Sequence, residues 1–310
     1  MLQGLIVKAI SGYYYVLPQG NDLQTGPTIQ CRGKGILRKQ ENTPLVGDQV
    51  RFAYTENGEG TVTEILSRSN QLLRPPIANV DLAIIVFSVK EPTLNLQLLD
   101  KFLVYVEQAD VPCLICLTKS DLMQTIPLFS EKKGTISDVD VDKVKSLYEH
   151  LGYEVTLTSA KEDINLDWIR ERVTNLITVI FGQSGVGKSS LLNHMIRGLN
   201  LQTNTISQKL GRGKHTTRHV ELLPLDAGGY IADTPGFSQL DLIEIEVEQL
   251  EGSFREFAIY RESCRFRGCL HVNEPGCAVK EAVSQLQIAE SRYQHYLVFF
   301  QEIKDRKKRY

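Results

Sequence analysis

The stretch Gly182-Gln183-Ser184-Gly185-Val186-Gly187-Lys188-Ser189-Ser190 follows directly on the apolar run Ile177-Thr178-Val179-Ile180-Phe181. Its spacing, G-x-x-x-x-G-K-[ST] between a buried strand and a helix, is that of a phosphate-binding loop. The glycines let the backbone curl until successive N–H groups point inward, forming a nest for a polyphosphate. A helix opening at Lys188 adds its positive dipole end. Lys188 brings a mobile cation to the outer phosphates, and the Ser189 hydroxyl is placed to ligate Mg²⁺. Taken alone, the stretch also reads as a glycine-rich turn.

Its partners decide between the two. Thr118-Lys119-Ser120-Asp121 closes the apolar run Cys113-Leu114-Ile115-Cys116-Leu117, at the carboxyl end of an expected strand, where open α/β sheets bind nucleotides. A carboxylate such as Asp121 accepts from both the ring N–H and the exocyclic amine of guanine, a donor pair that adenine lacks. The stem of Lys119 can lie along the purine face. Thr158-Ser159-Ala160-Lys161 ends the next strand-like run and can offer a backbone N–H to the guanine oxygen. Asp233-Thr234-Pro235-Gly236 ends another, with Asp233 placed to hold the Mg²⁺ shell and the Gly236 N–H to sense a γ-phosphate. Each short motif alone is an ordinary turn. Four at four strand ends specify a site.

The order of the motifs is unusual. The base-reading segments precede the phosphate loop and Asp233 to Gly236 follows it, as in a circularly permuted GTPase. A sheet tolerates this, because strand ends assemble the pocket in space and termini can move to surface sites.

Permuted motifs, the run Gly211-Arg212-Gly213-Lys214-His215-Thr216-Thr217 and a cysteine/histidine cluster near the C-terminus together resemble the ribosome small subunit-dependent GTPase A (RsgA/YjeQ) family over essentially the whole length. Thr118 departs from the general GTPase pattern, where Asn is usual. The resemblance implies hydrolysis of GTP to GDP and phosphate, stimulated by the small ribosomal subunit, in a late-stage assembly factor that binds rRNA.

At 310 residues, two or three domains are expected. The formal charge of −2 excludes no partner class, but 255–310 holds eleven Lys/Arg against seven Asp/Glu. No apolar run approaches the roughly 18 residues that span a bilayer, and residues 1–10 lack a secretory pattern. A cytoplasmic monomer without membrane contact is expected, with its six cysteines reduced.

Residues 1–72 read as an oligonucleotide-binding barrel, with strands over 4–10, 13–17, 28–32, 49–54 and 60–66 separated by turn signals. Tyr13, Tyr14 and Tyr15 alternate along one strand; an exposed one could stack on a base, although packing of the barrel or its rim is the plainer role. Arg32, Lys34, Arg38 and Lys39 are candidates for phosphate contact. A linker is expected over 67–76. The GTPase domain then spans 73–245, its first strand over 79–89, with helical spacing over 94–109 and 139–151. Cys113 and Cys116 form a C-x-x-C, but three apart on a strand they face opposite sides and cannot share an ion.

In 246–310, Cys264, Cys269, His271 and Cys277 supply three thiols and one imidazole, a closed set for one structural Zn²⁺. Gly268, Pro275 and Gly276 provide turns. Val279, Ala282, Val283, Leu286, Ala289, Tyr293, Tyr296, Leu297, Phe300 and Ile303 then recur at helical spacing as one docking stripe, ahead of a basic end expected to touch phosphate.

Catalysis would be positioning plus charge stabilisation by Lys188 and Mg²⁺, the ion held by Ser189 and a switch threonine, Thr217 ahead of Thr216. Phe237, after Gly236, cannot orient a water. His215 could swing in, or a partner could complete the site. The competing classes are a scaffold in which GTP is only structural and a GTP-switched protein acting on another RNA.

Overall fold

A computed structural model describes residues 1–22, 25–35, 43–125, 140–196, 220–233, 242 and 245–307. Five strands open the chain: β1 (Leu2–Ile10), β2 (Tyr13–Pro18), β3 (Ile29–Gly33), β4 (Gln49–Tyr54) and β5 (Gly60–Ile65). They run 1-2-3-5-4 and close through a β1–β4 pairing, with β3 and β5 parallel. Ile6, Val16, Cys31, Val50, Phe52 and Val62 fill the barrel, as alternation along strands requires. The five strands expected from sequence are these, within two residues at each end. Tyr13, Tyr14 and Tyr15 are each half-buried. Tyr14 packs against the core, whereas the Tyr13 ring lies 4.7 Å from the Arg32 guanidinium.

The expected linker has structure of its own. It folds into a hairpin of β6 (Gln71–Leu73) and β7 (Pro76–Ala78). The Arg68 guanidinium holds the fully buried Asp48 carboxylate at 2.7 and 2.8 Å, and Val46 of the barrel bridges Ile77 of the hairpin. A Cβ on Gly47 would sit 2.0 Å from the Ala78 carbonyl oxygen, so only glycine permits this approach.

The larger sheet contains β8 (Leu82–Ser88), β9 (Cys113–Thr118), β10 (Glu154–Leu157), β11 (Ile177–Phe181), β12 (Glu221–Pro224) and β13 (Tyr230–Asp233), ordered 10-9-8-11-13-12. β8 and β9 are buried at every position, as parallel strands covered on both faces must be. One face presents Ala83, Ile85, Phe87, Cys113 and Ile115 to helices α1 (Leu96–Gln108) and α2 (Val141–His150). The other presents Leu82, Ile84, Val86, Leu114 and Cys116 to α3 (Leu166–Arg172) and α4 (Lys188–Met195). Cys113 and Cys116 thus face opposite sides, and burial pushes both thiols up to about 12. The barrel joins this sheet at its edge, where Lys8 of β1 pairs with Glu221 of β12.

After α5 (Val247–Leu250) come three 3-10 turns, Glu251–Ser253, Arg255–Ile259 and Arg261–Ser263, then α6 (Ala278–Ser284) and α7 (Glu290–Lys307). The single stripe anticipated across this end is broken. Leu286 takes φ 60° and is 86% exposed, because the chain ends α6 there and re-enters as α7. The other stripe residues, Ala289 excepted, share one cluster with Phe254, Phe257 and Val104 of α1, so the docking face is real but bent. Arg306 is not a free tail residue, since its guanidinium donates to the Ile245 carbonyl at 3.1 Å. Among the described residues no helix is long and apolar enough to cross a membrane.

Candidate nucleotide site and metal centre

In the sheet, β9 and β10 lie on one side of β8, while β11 and β13 lie on the other. The order therefore reverses between β8 and β11, and the crevice beyond their carboxyl ends is where such sheets take ligands. The phosphate loop leaves β11 at this crevice. Gly182 has φ 144°, and a Cβ there would lie 2.2 Å from the Val86 carbonyl oxygen. Gly185 and Gly187 also take positive φ, 79° and 98°, which gives the turn its curl. Val186 buries its side chain in the core beneath, leaving only backbone for a ligand. Gln183 is half-buried, Ser184 exposed and Ser189 buried.

Lys188 opens α4. Its ammonium donates to the Gly182 carbonyl at 2.7 Å and to that of Gln183. Burial lowers its pKa from 10.5 to about 8. The loop is folded on its own lysine.

A cavity of about 360 Å³ opens beside it, lined among others by Thr118, Lys119, Asp121, Ala160, Gly187 and Ser190, a size suited to a small molecule. The two segments expected to read the base are tied together beside it. The Ser159 hydroxyl donates to Asp121 Oδ1 at 2.7 Å, the Ser120 N–H donates to the Thr158 carbonyl at 3.0 Å, and Lys161 Nζ lies 3.9 Å from Asp121 Oδ2. Lys119 takes φ 60° and its ammonium donates to the Glu91 carbonyl.

Thr118 does something its motif position does not reveal. Its hydroxyl lies 3.2 Å from the Phe87 carbonyl and within hydrogen-bonding reach of that of Val186, so it straps the end of β9 to the phosphate loop. Glu91, Leu122 and Leu166 also line the cavity. No motif marks them; they arrive with the loops after β8, β9 and β10.

Asp233 ends β13, beside the phosphate-loop strand β11 in the sheet; its side chain lies outside what the structure describes. Gly236 and Phe237, and the loop residues His215, Thr216 and Thr217, lie outside the described residues. So do Arg38, Lys39, Lys308 and Arg309.

At the other end of the chain, one ligand atom each of Cys264, Cys269, His271 and Cys277 lies within 4.8 Å of every other. Cys264 Sγ is 3.6 Å from His271 Nδ1 and 4.0 Å from Cys277 Sγ, and His271 Nδ1 is 3.3 Å from Cys277 Sγ. Tetrahedral Zn²⁺ with ordinary bond lengths would place sulfurs about 3.8 Å apart and sulfur about 3.6 Å from nitrogen. The donor set fits. His271 Nε2 lies 2.6 Å from a Glu251 carboxylate oxygen, the outer partner that fixes a ligating imidazole. Sequence reasoning missed Glu251, which no spacing rule connects to His271. Glu274 accepts from the N–H groups of Leu270, Val272 and Asn273, each at 3.0 Å, and shapes the turn carrying His271. Tyr293 and Tyr296 on α7 donate to the carbonyls of His271 and Leu270 at 2.8 and 2.6 Å.

Comparison with known proteins places this geometry. The RsgA GTPase family model matches residues 65–243 and the RsgA N-terminal domain model residues 3–62. Relatives called "Small ribosomal subunit biogenesis GTPase RsgA" are 51% identical in Bacillus pumilus (strain SAFR-032) and 49% identical in Bacillus subtilis (strain 168), each covering 100% of both chains. Among solved structures, YloQ, a circularly permuted GTPase, superposes with TM-score 0.77 at 43% identity over 100% of this chain and 98% of its own. YjeQ from Thermotoga maritima does so with TM-score 0.78 at 37% identity, over 97% and 98%. With the permuted strand order, the phosphate loop and a full-length match all in agreement, the chain belongs to the RsgA GTPase family.

Proposed function

We propose that this chain hydrolyses GTP to GDP and phosphate in the biogenesis of the small ribosomal subunit, turning over slowly alone and faster on that subunit. The carrying observation is the Ser159–Asp121 hydrogen bond, 2.7 Å, at one cavity with Gly187 and Ser190. It aims a carboxylate where guanine would present its donor pair, beside the loop built for phosphates. The biogenesis half follows from what the relatives are called.

In this reading Thr118, Lys119, Ser120, Asp121, Ser159 and Ala160 hold the base, while Gly182 to Ser190 hold the phosphates. Lys188 releases its two carbonyl acceptors and neutralises the outer phosphate oxygens. Mg²⁺, which a GTPase uses with its substrate, would be held by Ser189 and Thr217, with Asp233 in its outer shell, and supplies charge neutralisation. Gly236 would report the γ-phosphate. His215, or a group on the subunit, would orient the water; an activating group supplied in trans is worth about 10³–10⁵-fold.

Cys264, Cys269, His271 and Cys277 would hold one structural Zn²⁺, which closes a segment of short turns and leaves no position open for catalysis. We further propose the division 1–72 barrel, 73–245 GTPase and 246–310 metal module, with the protein acting as a cytoplasmic monomer on rRNA.

Sedimentation with separated ribosomal subunits, alongside GTP turnover with and without each, tests this. Binding and stimulation by the small subunit alone are expected. Turnover indifferent to purified small subunits would remove the biogenesis half and leave a GTPase acting elsewhere.

A further inference from the structure

Among the described residues the metal module exposes four large apolar side chains, Ile259, Phe266, Leu286 and Val298, and only Phe266 sits between two cysteines of the cluster, in the loop Cys264-Arg265-Phe266-Arg267-Gly268-Cys269. Phe266 is 45% exposed and has no place in the module's core. Arg265, Arg267 and Gly268 are exposed as well. The loop is nonetheless pinned. Its two end sulfurs belong to the four-ligand cluster. The Arg265 N–H donates to the Gly276 carbonyl at 3.0 Å, and Gly268 turns the chain back at φ 68°. An aromatic ring is thus held in solvent at a fixed place, so little ordering cost would remain on binding.

The charges within the loop, Arg265 and Arg267, have one sign. The Arg265 guanidinium lies 5.5 Å from the Phe266 ring centroid. Within the loop there is no acid, and Glu274 in the following turn has its carboxylate engaged by three backbone N–H groups. Glu262, just before the loop, lies 3.6 Å from Arg261.

We propose that this loop is a base-stacking tip. Phe266 receives an unpaired base of an RNA loop, bulge or single strand, and Arg265 and Arg267 meet the phosphates on either side. Bases in a duplex hide their faces in the stack, whereas splayed-out bases present them to aromatic and guanidinium planes. A protein partner for Phe266 would call for further exposed apolar groups in the loop, and the loop offers two guanidinium groups instead. The inference rests on the reading of the chain as acting on the small ribosomal subunit, and specifies the chemistry of one contact there.

The test uses the full-length chain, purified small ribosomal subunits and nucleotide-resolution chemical footprinting. Phe266→Ala should weaken subunit binding about 5- to 150-fold, the range of one base–aromatic stack, and expose one unpaired nucleotide that the parent protects. Phe266→Trp should restore both. Arg267→Gln should lower the salt slope of binding by about 0.7–0.9. GTP turnover without subunits and bound zinc should not change, since Phe266 supports neither. Binding by Phe266→Ala within twofold of the parent, or a photo-crosslinker at position 266 that labels a ribosomal protein, would overturn the tip and leave the proposed function standing. Failure of the parent itself to bind small subunits would overturn both.

Discussion

Arg292 Nη1 on α7 lies 2.5 Å from Asp100 Oδ1 on α1, and neither side chain is more than 1% exposed. Tyr148 of α2 donates to the same oxygen at 2.6 Å, His295 Nδ1 is 2.5 Å from the other, and Glu256 receives the remaining face of the guanidinium at 2.7 and 3.1 Å. The neighbouring carboxylates hold the Arg292 pKa well above its ordinary value despite burial. This buried network fastens the metal module to the helix that begins just after Glu91 at the nucleotide cavity. Removing one partner strands the other charges in a dry site. Asp100→Ala should therefore cost about 3–5 kcal/mol, read from denaturant midpoints of the full chain. In a double-mutant cycle with Arg292→Met, the combined loss should fall short of the sum of the two single losses; simple additivity would refute the coupling.

In the proposed reading, Asp121 sets the base. Asp121→Asn keeps one acceptor and gains a donor, which mismatches the guanine amine and matches the 2-oxo group of xanthine. Calorimetry should show GTP affinity falling at least about 100-fold, as hydrogen bonds to a charged partner at about 1.5–3 kcal/mol each predict, while xanthosine triphosphate gains. Ser159→Ala should weaken GTP by a smaller factor, because the carboxylate remains but loses its orienting donor.

Lys188 predicts a pH dependence. In the empty site its pKa is about 8 because burial disfavours the charged form. A bound polyphosphate favours that form, so its pKa rises in the complex. GTP affinity should then be flat below pH 8 and fall above it, by up to about tenfold per pH unit, until the pKa of the complex is passed. The same depression acts oppositely on the empty protein: this group adds stability as pH rises from about 8 towards 10.5, where only the unfolded chain still holds the proton. Titration of affinity from pH 7 to 10 in the parent and in Lys188→Ala checks the sign. A variant retaining the parent's slope would assign it to another group.

The metal module should contain one zinc per chain by elemental analysis. Glu251→Gln should lower zinc affinity about 10- to 100-fold in chelator competition, since the outer partner of His271 would lose its charge. Cys269→Ser should abolish stoichiometric zinc and open 246–307 to protease, with the GTPase sheet still protected.

The glycine-rich loop after β11, the segments that meet at the cavity and the Cys/His cluster could be read from the chain because each is a short pattern with its own spacing. The permutation could be read too, because motif order survives as linear order. The barrel strands and the opposite facing of Cys113 and Cys116 followed from a period of two. What lay beyond reading was every meeting of distant positions. Asp100 and Arg292 are 192 residues apart, Thr118 and Val186 are 68, and Glu251 reaches His271 from a separate turn. Nor did any local signal show that 67–76 folds back as a hairpin against Asp48, or that Leu286 leaves the apolar stripe. Local patterns are fixed by backbone geometry over one turn or one strand, whereas these contacts depend on how whole helices and sheets seat against one another, and only the packed core sets that.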